Sequence, residues 1–170
     1  MSVSIRRARP DDAAFLAGLS GHDDVEPFLG RATATDETSI REEIERSLSE
    51  PEAVGRFVVE VDGERAGMMG FTRTNERSRI ARLGGLAIHP DFRGRRLADD
   101  AARLLQRHLL GELGFHRLEL EIYAFNERAV AHAERAGFVR EGLRRKAYLR
   151  HGSWNDAVLF GLTAEDLAPA

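Results

Sequence analysis

Leu83 to Leu110 reads L-G-G-L-A-I-H-P-D-F-R-G-R-R-L-A-D-D-A-A-R-L-L-Q-R-H-L-L, and the order of its features decides the fold. An apolar run stops at His89-Pro90, the basic segment Arg93-Gly94-Arg95-Arg96 follows, and an amphipathic pattern opens directly after it. Leu97, Ala101, Leu104, Leu105, His108 and Leu109 recur at helical spacing. Strand, basic loop and helix start in that order make an anion site. The first N–H groups of a helix have no internal partners and point at whatever precedes them. A bare charge run is usually a solvated helix start. Here its place between strand and helix favours a phosphate-bearing ligand.

Working outward, Val3 to Ala8 reads as a strand, and Pro10-Asp11-Asp12 opens a helix reaching about Gly18. Residues 20–35 are loop-like and are expected to form part of a substrate mouth. Ser39 and Glu42 have capping-box spacing at the start of a helix with Ile40, Ile44 and Leu48 on one face, ended by Pro51. Arg56–Val61, Asp62-Gly63 and Ala66–Phe71 read as a hairpin, since Asp-Gly supplies the positive φ angles of a two-residue turn. Ile80–Ile88 is the next strand, and the helix from Leu97 is expected to run to Leu113, closed by Gly114.

Arg117–Phe125 alternates strictly, with Leu118, Leu120 and Ile122 on one face and Glu119, Glu121 and Tyr123 on the other. Asn126 starts a short helix ending at Ala136-Gly137. Phe138-Val139 begins a strand, and a last hairpin, 146–150 and 154–160, turns at His151-Gly152 with Trp154 and Tyr148 packing it. The order β-α-α-β-β-β-α-β-α-β-β predicts a mixed α/β (α+β) domain, antiparallel at first, with a βαβ unit in the middle.

At 170 residues, 1–170 reads as a single domain. A net charge of −3 argues against a nucleic-acid binder, which needs a basic excess. The absence of cysteine excludes disulfides, thiolate metal sites and a cysteine nucleophile. The six histidines show no zinc-type pairing, so no metal is expected. Neither a secretory signal nor a membrane span is visible, and the expected location is cytoplasmic.

Three ordered motifs, L-A-I-H-P-D-F-R-G-R-R-L-A, N-E-R-A-V-A-H-A-E-R-A-G-F and E-G-L-R-R-K-A-Y-L-R-H-G-S-W-N-D-A-V-L-F, resemble the GNAT superfamily of acyl-CoA N-acyltransferases over nearly the whole chain. The last motif is similar to the branch containing the ribosomal-protein N-terminal acetyltransferases. The resemblance implies a mostly antiparallel six- to seven-stranded sheet with a splayed pair of strands and about four helices. It also implies acetyl-CoA as cosubstrate. The family pattern Q/R-x-x-G-x-G/A, whose amides hold the pyrophosphate, falls on Arg93, Gly94, Arg95, Arg96, Leu97 and Ala98. Arg96 replaces the central glycine. Either its side chain swings aside and adds a guanidinium contact, or it fills the phosphate site and abolishes binding. Leu86, Ala87 and Ile88 resemble the strand whose edge pairs with pantetheine, and its N–H groups would polarise the thioester carbonyl. Asn126 matches a family asparagine near the cofactor, with a plain helix cap as the equal alternative.

The family's acceptor is a primary amine, a small molecule or a peptide N-terminus, and it must lose a proton before it attacks. Glu121 stands where several members place the base, with Glu119 on the same face; both also suit the polar face of a half-buried strand. Ala133 occupies the position of the family tyrosine that protonates the thiolate, and His132 points about 100° away. Tyr123 and Tyr148 are alternative donors. Arg140, Arg144, Arg145 and Lys146 would meet the adenosine 3′-phosphate, an acidic acceptor or only solvent. The rival reading is a catalytically degenerate GNAT-fold binding or dimerisation module. A nucleotide-binding module fails for want of G-x-G-x-x-G. A homodimer through the exposed strands of the C-terminal half is compatible with the sequence.

Overall fold

The computed structural model describes residues 1–30 and 36–167. Its elements run β1 (Val3–Arg7), α1 (Ala13–Ser20), α2 (Glu37–Ser49), β2 (Val54–Val61), β3 (Glu64–Asn75), β4 (Ile80–Ile88), α3 (Leu97–Gln106), β5 (Arg117–Tyr123), α4 (Glu127–Arg135), β6 (Val139–Arg150) and β7 (Ser153–Thr163). One seven-stranded sheet has the order β1-β2-β3-β4-β5-β7-β6. Every neighbouring pair is antiparallel except β4 and β5. This is the element order the sequence predicts, and the sheet is of the kind the family resemblance implies.

Helices cover both faces. Leu16, Ile40 and Ile44 pack with Val58 and Met68 on the α1/α2 side. Ala101, Leu105 and Ala133 pack with Val59, Met69, Leu118 and Phe160 on the α3/α4 side. The alternation of β2 and β3 sends successive side chains to these two layers, which is why both strands read as continuous apolar runs. Asp62 and Gly63, at φ 49° and 84°, form the expected tight turn between them.

Several local expectations are corrected. Asp36, not Ser39, caps α2: its carboxylate accepts from the Ser39 N–H at 2.8 Å. Leu48 is 46% exposed, because Ser47 turns inward instead to accept hydrogen bonds from Arg7 and the Arg56 N–H. The helix from Leu97 widens to a π turn over Arg107–Glu112, and consecutive Leu109 and Leu110 are both buried there. The C-terminal pieces join into one long β6 that carries a bulge, where Arg144 pairs with Ala157 and Tyr148 with Asn155. Trp154 does not pack the hairpin; it is 62% exposed. Among the described residues no helix is long and apolar enough to cross a membrane.

Candidate functional site

The sheet opens at its one parallel pair. β4 and β5 are bonded only at Ile80–Arg117, Ala81–Leu118 and Arg82–Glu119, after which they part, although β5 stays paired with β7 to Tyr123. Gly85, at φ +67°, forms a bulge in β4 between the Gly70–Gly84 and Met68–Ala87 pairs. Beyond it the His89 N–H bonds the Ala66 C=O, while the Ile88 C=O accepts from Arg93 Nε at 3.2 Å. Alternate peptide groups therefore face opposite edges. Those of Leu86 and Ile88 face the opening, and that of Ala87 faces β3.

The basic loop lies at the end of this strand. Arg93 turns back, with Nη2 also donating to the Asp24 C=O at 3.2 Å, so it ties the loop to β4 and to the α1–α2 connection. Gly94 and Arg96 both have positive φ, at 84° and 56°. Arg96 thus takes a left-handed conformation that glycine adopts freely. Its side chain and that of Arg95 are exposed, while Leu97 is buried and Ala98 half-buried. The N–H groups through Ala98 precede the first helical bond, from the Asp99 N–H to the Arg96 C=O, and they open toward the loop. An anionic pyrophosphate fits that arrangement of exposed guanidinium groups and unspent amides.

Behind the loop, Asp99 accepts from His132 at 2.7 Å and from Arg135 at 3.2 Å, which joins the start of α3 to α4. Burial pushes the Asp99 carboxyl up, but the bonds from Arg135 and His132 outweigh it and hold the pKa low. This link escaped sequence reasoning; the one signal for it was an acidic first turn beside a basic loop. It also commits His132 away from any leaving group. Ala133 is buried in the α3/α4 layer. Asn126 accepts from the Ala129 N–H at 3.2 Å and caps α4.

Glu121 stands on the opposite face of the sheet. Two residues beyond the Arg82–Glu119 pair, it faces Gly84 across the opening, on the α1/α2 side. Tyr148 Oη donates to Glu121 Oε2 at 2.5 Å, Arg144 Nη1 to Oε1 at 2.7 Å, and Arg82 lies 4.0 Å away. Burial raises the Glu121 pKa, yet the Tyr148 and Arg144 hydrogen bonds prevail and hold it below the usual carboxylate range. Burial, and next the bond to Glu121, pushes the Tyr148 phenol up. The β6 bulge, held by the Lys146 N–H on Asp156 at 2.8 Å, lets two residues four apart reach one carboxylate. Glu119 is held by Arg117 at 2.9 Å.

An aromatic shelf flanks Glu121. Phe125 stacks on Tyr123 with centroids 5.2 Å apart, Tyr148 meets Tyr123 edge-on at 5.7 Å, and Phe28 lies 6.1 Å from Phe125. Arg150 at the hairpin tip donates to the Glu26 C=O at 3.0 Å, so the expected mouth joins the α1–α2 connection to the hairpin. Residues 31–35 of that connection lie outside the described residues. Among the described residues no group of three metal-ligating side chains occurs.

The acetyltransferase (GNAT) domain family matches residues 2–139. The uncharacterized N-acetyltransferase YokL of Bacillus subtilis strain 168, derived from the SPbeta prophage, is 30% identical over 131 residues, 75% of this chain and 71% of that protein. Spermidine N(1)-acetyltransferase of Escherichia coli K12 is 32% identical over 103 residues, 61% of this chain and 55% of the enzyme. The Vibrio cholerae spermidine N-acetyltransferase, solved in complex with CoA and spermine, superposes with a TM-score of 0.84 over 96% of both chains at 21% identity, a likeness of fold.

Proposed function

The chain belongs to the GNAT acetyltransferase family, and from that premise we propose that it moves an acetyl group from acetyl-CoA to a primary amine in a ternary complex. The observation that carries this reading is the β4–β5 opening, with the α3 helix start on one face and Glu121 on the other. Two substrates entering from opposite faces meet in it.

In this reading the amides of Arg95, Arg96, Leu97 and Ala98 and the guanidinium groups of Arg95 and Arg96 take the pyrophosphate, and the Leu86 and Ile88 peptide groups take pantetheine. Arg93 and Gly94 shape that loop, Ala87 continues the β4 edge, and Asn126 holds the start of α4 beside it. Acetyl-CoA supplies an electrophilic thioester carbonyl whose thiolate departs, and a thiol with pKa near ~8.5 leaves without a strong acid. Glu121 draws the ammonium into the opening and takes its proton, directly or through water, so that a neutral nitrogen attacks. Its low pKa keeps it ionised at neutral pH, at a cost in basicity. Tyr148 and Arg144 fix its orientation. The exposed Arg96 side chain favours the reading in which it adds a contact to phosphate over the one in which it plugs the site.

Small amines and peptide N-termini are both acceptors of this chemistry; the named relatives include spermidine enzymes. Exposed Val139, Leu143 and Leu149 along edge strand β6 give the proposed homodimer a surface. Calorimetry with acetyl-CoA, followed by thiol release with a panel of amines, tests the activity. Saturable binding and amine-dependent release are expected. A wild-type protein that binds no acetyl-CoA, with binding restored by Arg96→Gly, would establish the degenerate module instead.

A further inference from the structure

One buried cation on the acceptor face is only partly satisfied by its neighbours. Arg56 on β2 is 8% exposed, its Nε makes no hydrogen bond, and its nearest carboxylate, Glu43, lies 3.7 Å away and is itself half-exposed. Nη2 has only the Met68 sulfur, at 3.8 Å. A guanidinium kept this way is costly unless something else satisfies it, because its buried Nε has one loose ion pair and no hydrogen bond in place of water.

The register shows where it points. Arg56 pairs with Gly70, Gly70 pairs with Gly84, and Gly84 faces Glu121 across the opening. The two residues between Arg56 and Glu121 in this row lack side chains; a Cβ added at Gly84 would meet nothing within 4 Å, whereas at Gly70 it would meet the Gly55 C=O at 2.8 Å, so the open floor is at Gly84. Arg56 lies along this bare floor: a Cβ at Gly85 would come 3.4 Å from its Nη1. The open part of the row, over Gly84, therefore lies between a carboxylate, Glu121, on one side and the Arg56 guanidinium, with Nη1 foremost, on the other. The charges flank a gap on the order of one to two strand spacings, ~5–10 Å.

We propose that the acceptor is an amino acid, a molecule with its carboxylate a few bonds from its amine, and that Arg56 is the residue that selects it. The carboxylate takes the Arg56 donors and the amine lies at Glu121. The inference rests on the acetyl-transfer reading and narrows its acceptor. A planar fork suits a carboxylate bidentately, and a site built to pair a charged group rejects the analogue that lacks it, since the buried donors are then left bare. A fixed cation beside this open floor also disfavours a polyamine, which brings only positive charge.

The test uses pairs that differ only in the carboxylate, L-lysine with cadaverine and L-phenylalanine with phenethylamine, titrated calorimetrically into the protein with CoA present. Wild type should bind the amino acid of at least one pair tenfold or more tighter than its amine, and Arg56→Met should erase that ratio. Gly84→Val, which fills open space, should weaken the amino acid by a similar factor and serves if the Arg56 variant does not fold. Equal binding within every pair, a ratio that survives Arg56→Met, or no amino-acid binding at millimolar concentration overturns the proposal. Thiol release separates the two readings. Carboxylate-dependent binding without acetylation of any amine strikes the transfer reading alone, whereas acetylation of cadaverine and lysine at equal efficiency strikes this one alone.

Discussion

Replacing Arg96 by glycine should stabilise the fold, and the size of the gain follows from one dihedral angle. Arg96 precedes α3 at φ 56° and ψ 24°, with its side chain exposed. For an L-residue that conformation costs about 1–2 kcal/mol through contact of Cβ with the backbone. Glycine removes that contact, while its freer unfolded chain takes back about 0.5–1 kcal/mol. The net expectation for Arg96→Gly is about 0.5–1 kcal/mol of added stability. Arg96→Ala retains the Cβ and the strain, so the two variants isolate the backbone effect from loss of the guanidinium. Urea unfolding without acetyl-CoA measures it: the midpoint should rise for glycine with m unchanged, and a melting point should rise by about 2–4 °C per kcal/mol at this chain length. A glycine variant no more stable than the alanine variant refutes the argument. In parallel, Arg96→Ala should weaken acetyl-CoA binding by about tenfold or more, the loss of one charge-assisted contact.

Other expectations rest on single contacts. Tyr148→Phe removes a donor to the Glu121 carboxylate; the charged form is then less favoured, its pKa rises, and the acid limb of kcat/KM should move to higher pH, against an unmoved limb if Glu121 is not the base. Asp12 is 1% exposed and held by Arg6 and Arg65 at 2.7 Å each. Burial raises its pKa, but the bonds from Arg6, the Arg9 N–H and Arg65 drive it well below the carboxylate range. Its stabilisation is therefore complete above the unfolded pKa of ~3.9 and lost as pH falls toward the folded value. Asp12→Asn should cost about 2–3 kcal/mol near neutrality, discounted for the partly exposed Arg65, and unfolding scans should show a flatter dependence below about pH 4. Asn126→Ala should cost about 1 kcal/mol as a lost cap; a much larger fall in acetyl-CoA affinity than in stability would mean that Asn126 also meets the cofactor.

What was legible in the sequence was whatever repeats at short range. The period-two run of β5 put Glu121 and Glu119 on one face, and it was the family resemblance that singled out Glu121 of the two. The helical stripe from Leu97 placed the basic loop at a helix start. The α2 face went wrong at Leu48 because the polar Ser47 has two partners from other elements, Arg7 and the Arg56 N–H, and no pattern along the helix reveals them.

The partners of Glu121 were illegible for a related reason. Arg144 and Tyr148 read as a basic cluster and a packing aromatic until the bulge opposite Asp156 aims both at one carboxylate; a strand of uniform register would not bring them there together. Arg56 is harder still. In sequence it is the polar residue that begins an apolar strand, and the plain expectation is a side chain reaching solvent. Its burial depends on Gly70 and Gly84, residues 14 and 28 positions away that become its neighbours only once two hairpin registers are set. Glycine inside a strand weakens it, so two in one row need a physical return. At Gly70 the return is the close approach of the Gly55 C=O, 2.8 Å from where a Cβ would stand, and at Gly84 it is floor space between a cation and a carboxylate. For that reason the acceptor end of the site had to be read across the strands while the cofactor end could be read along the chain.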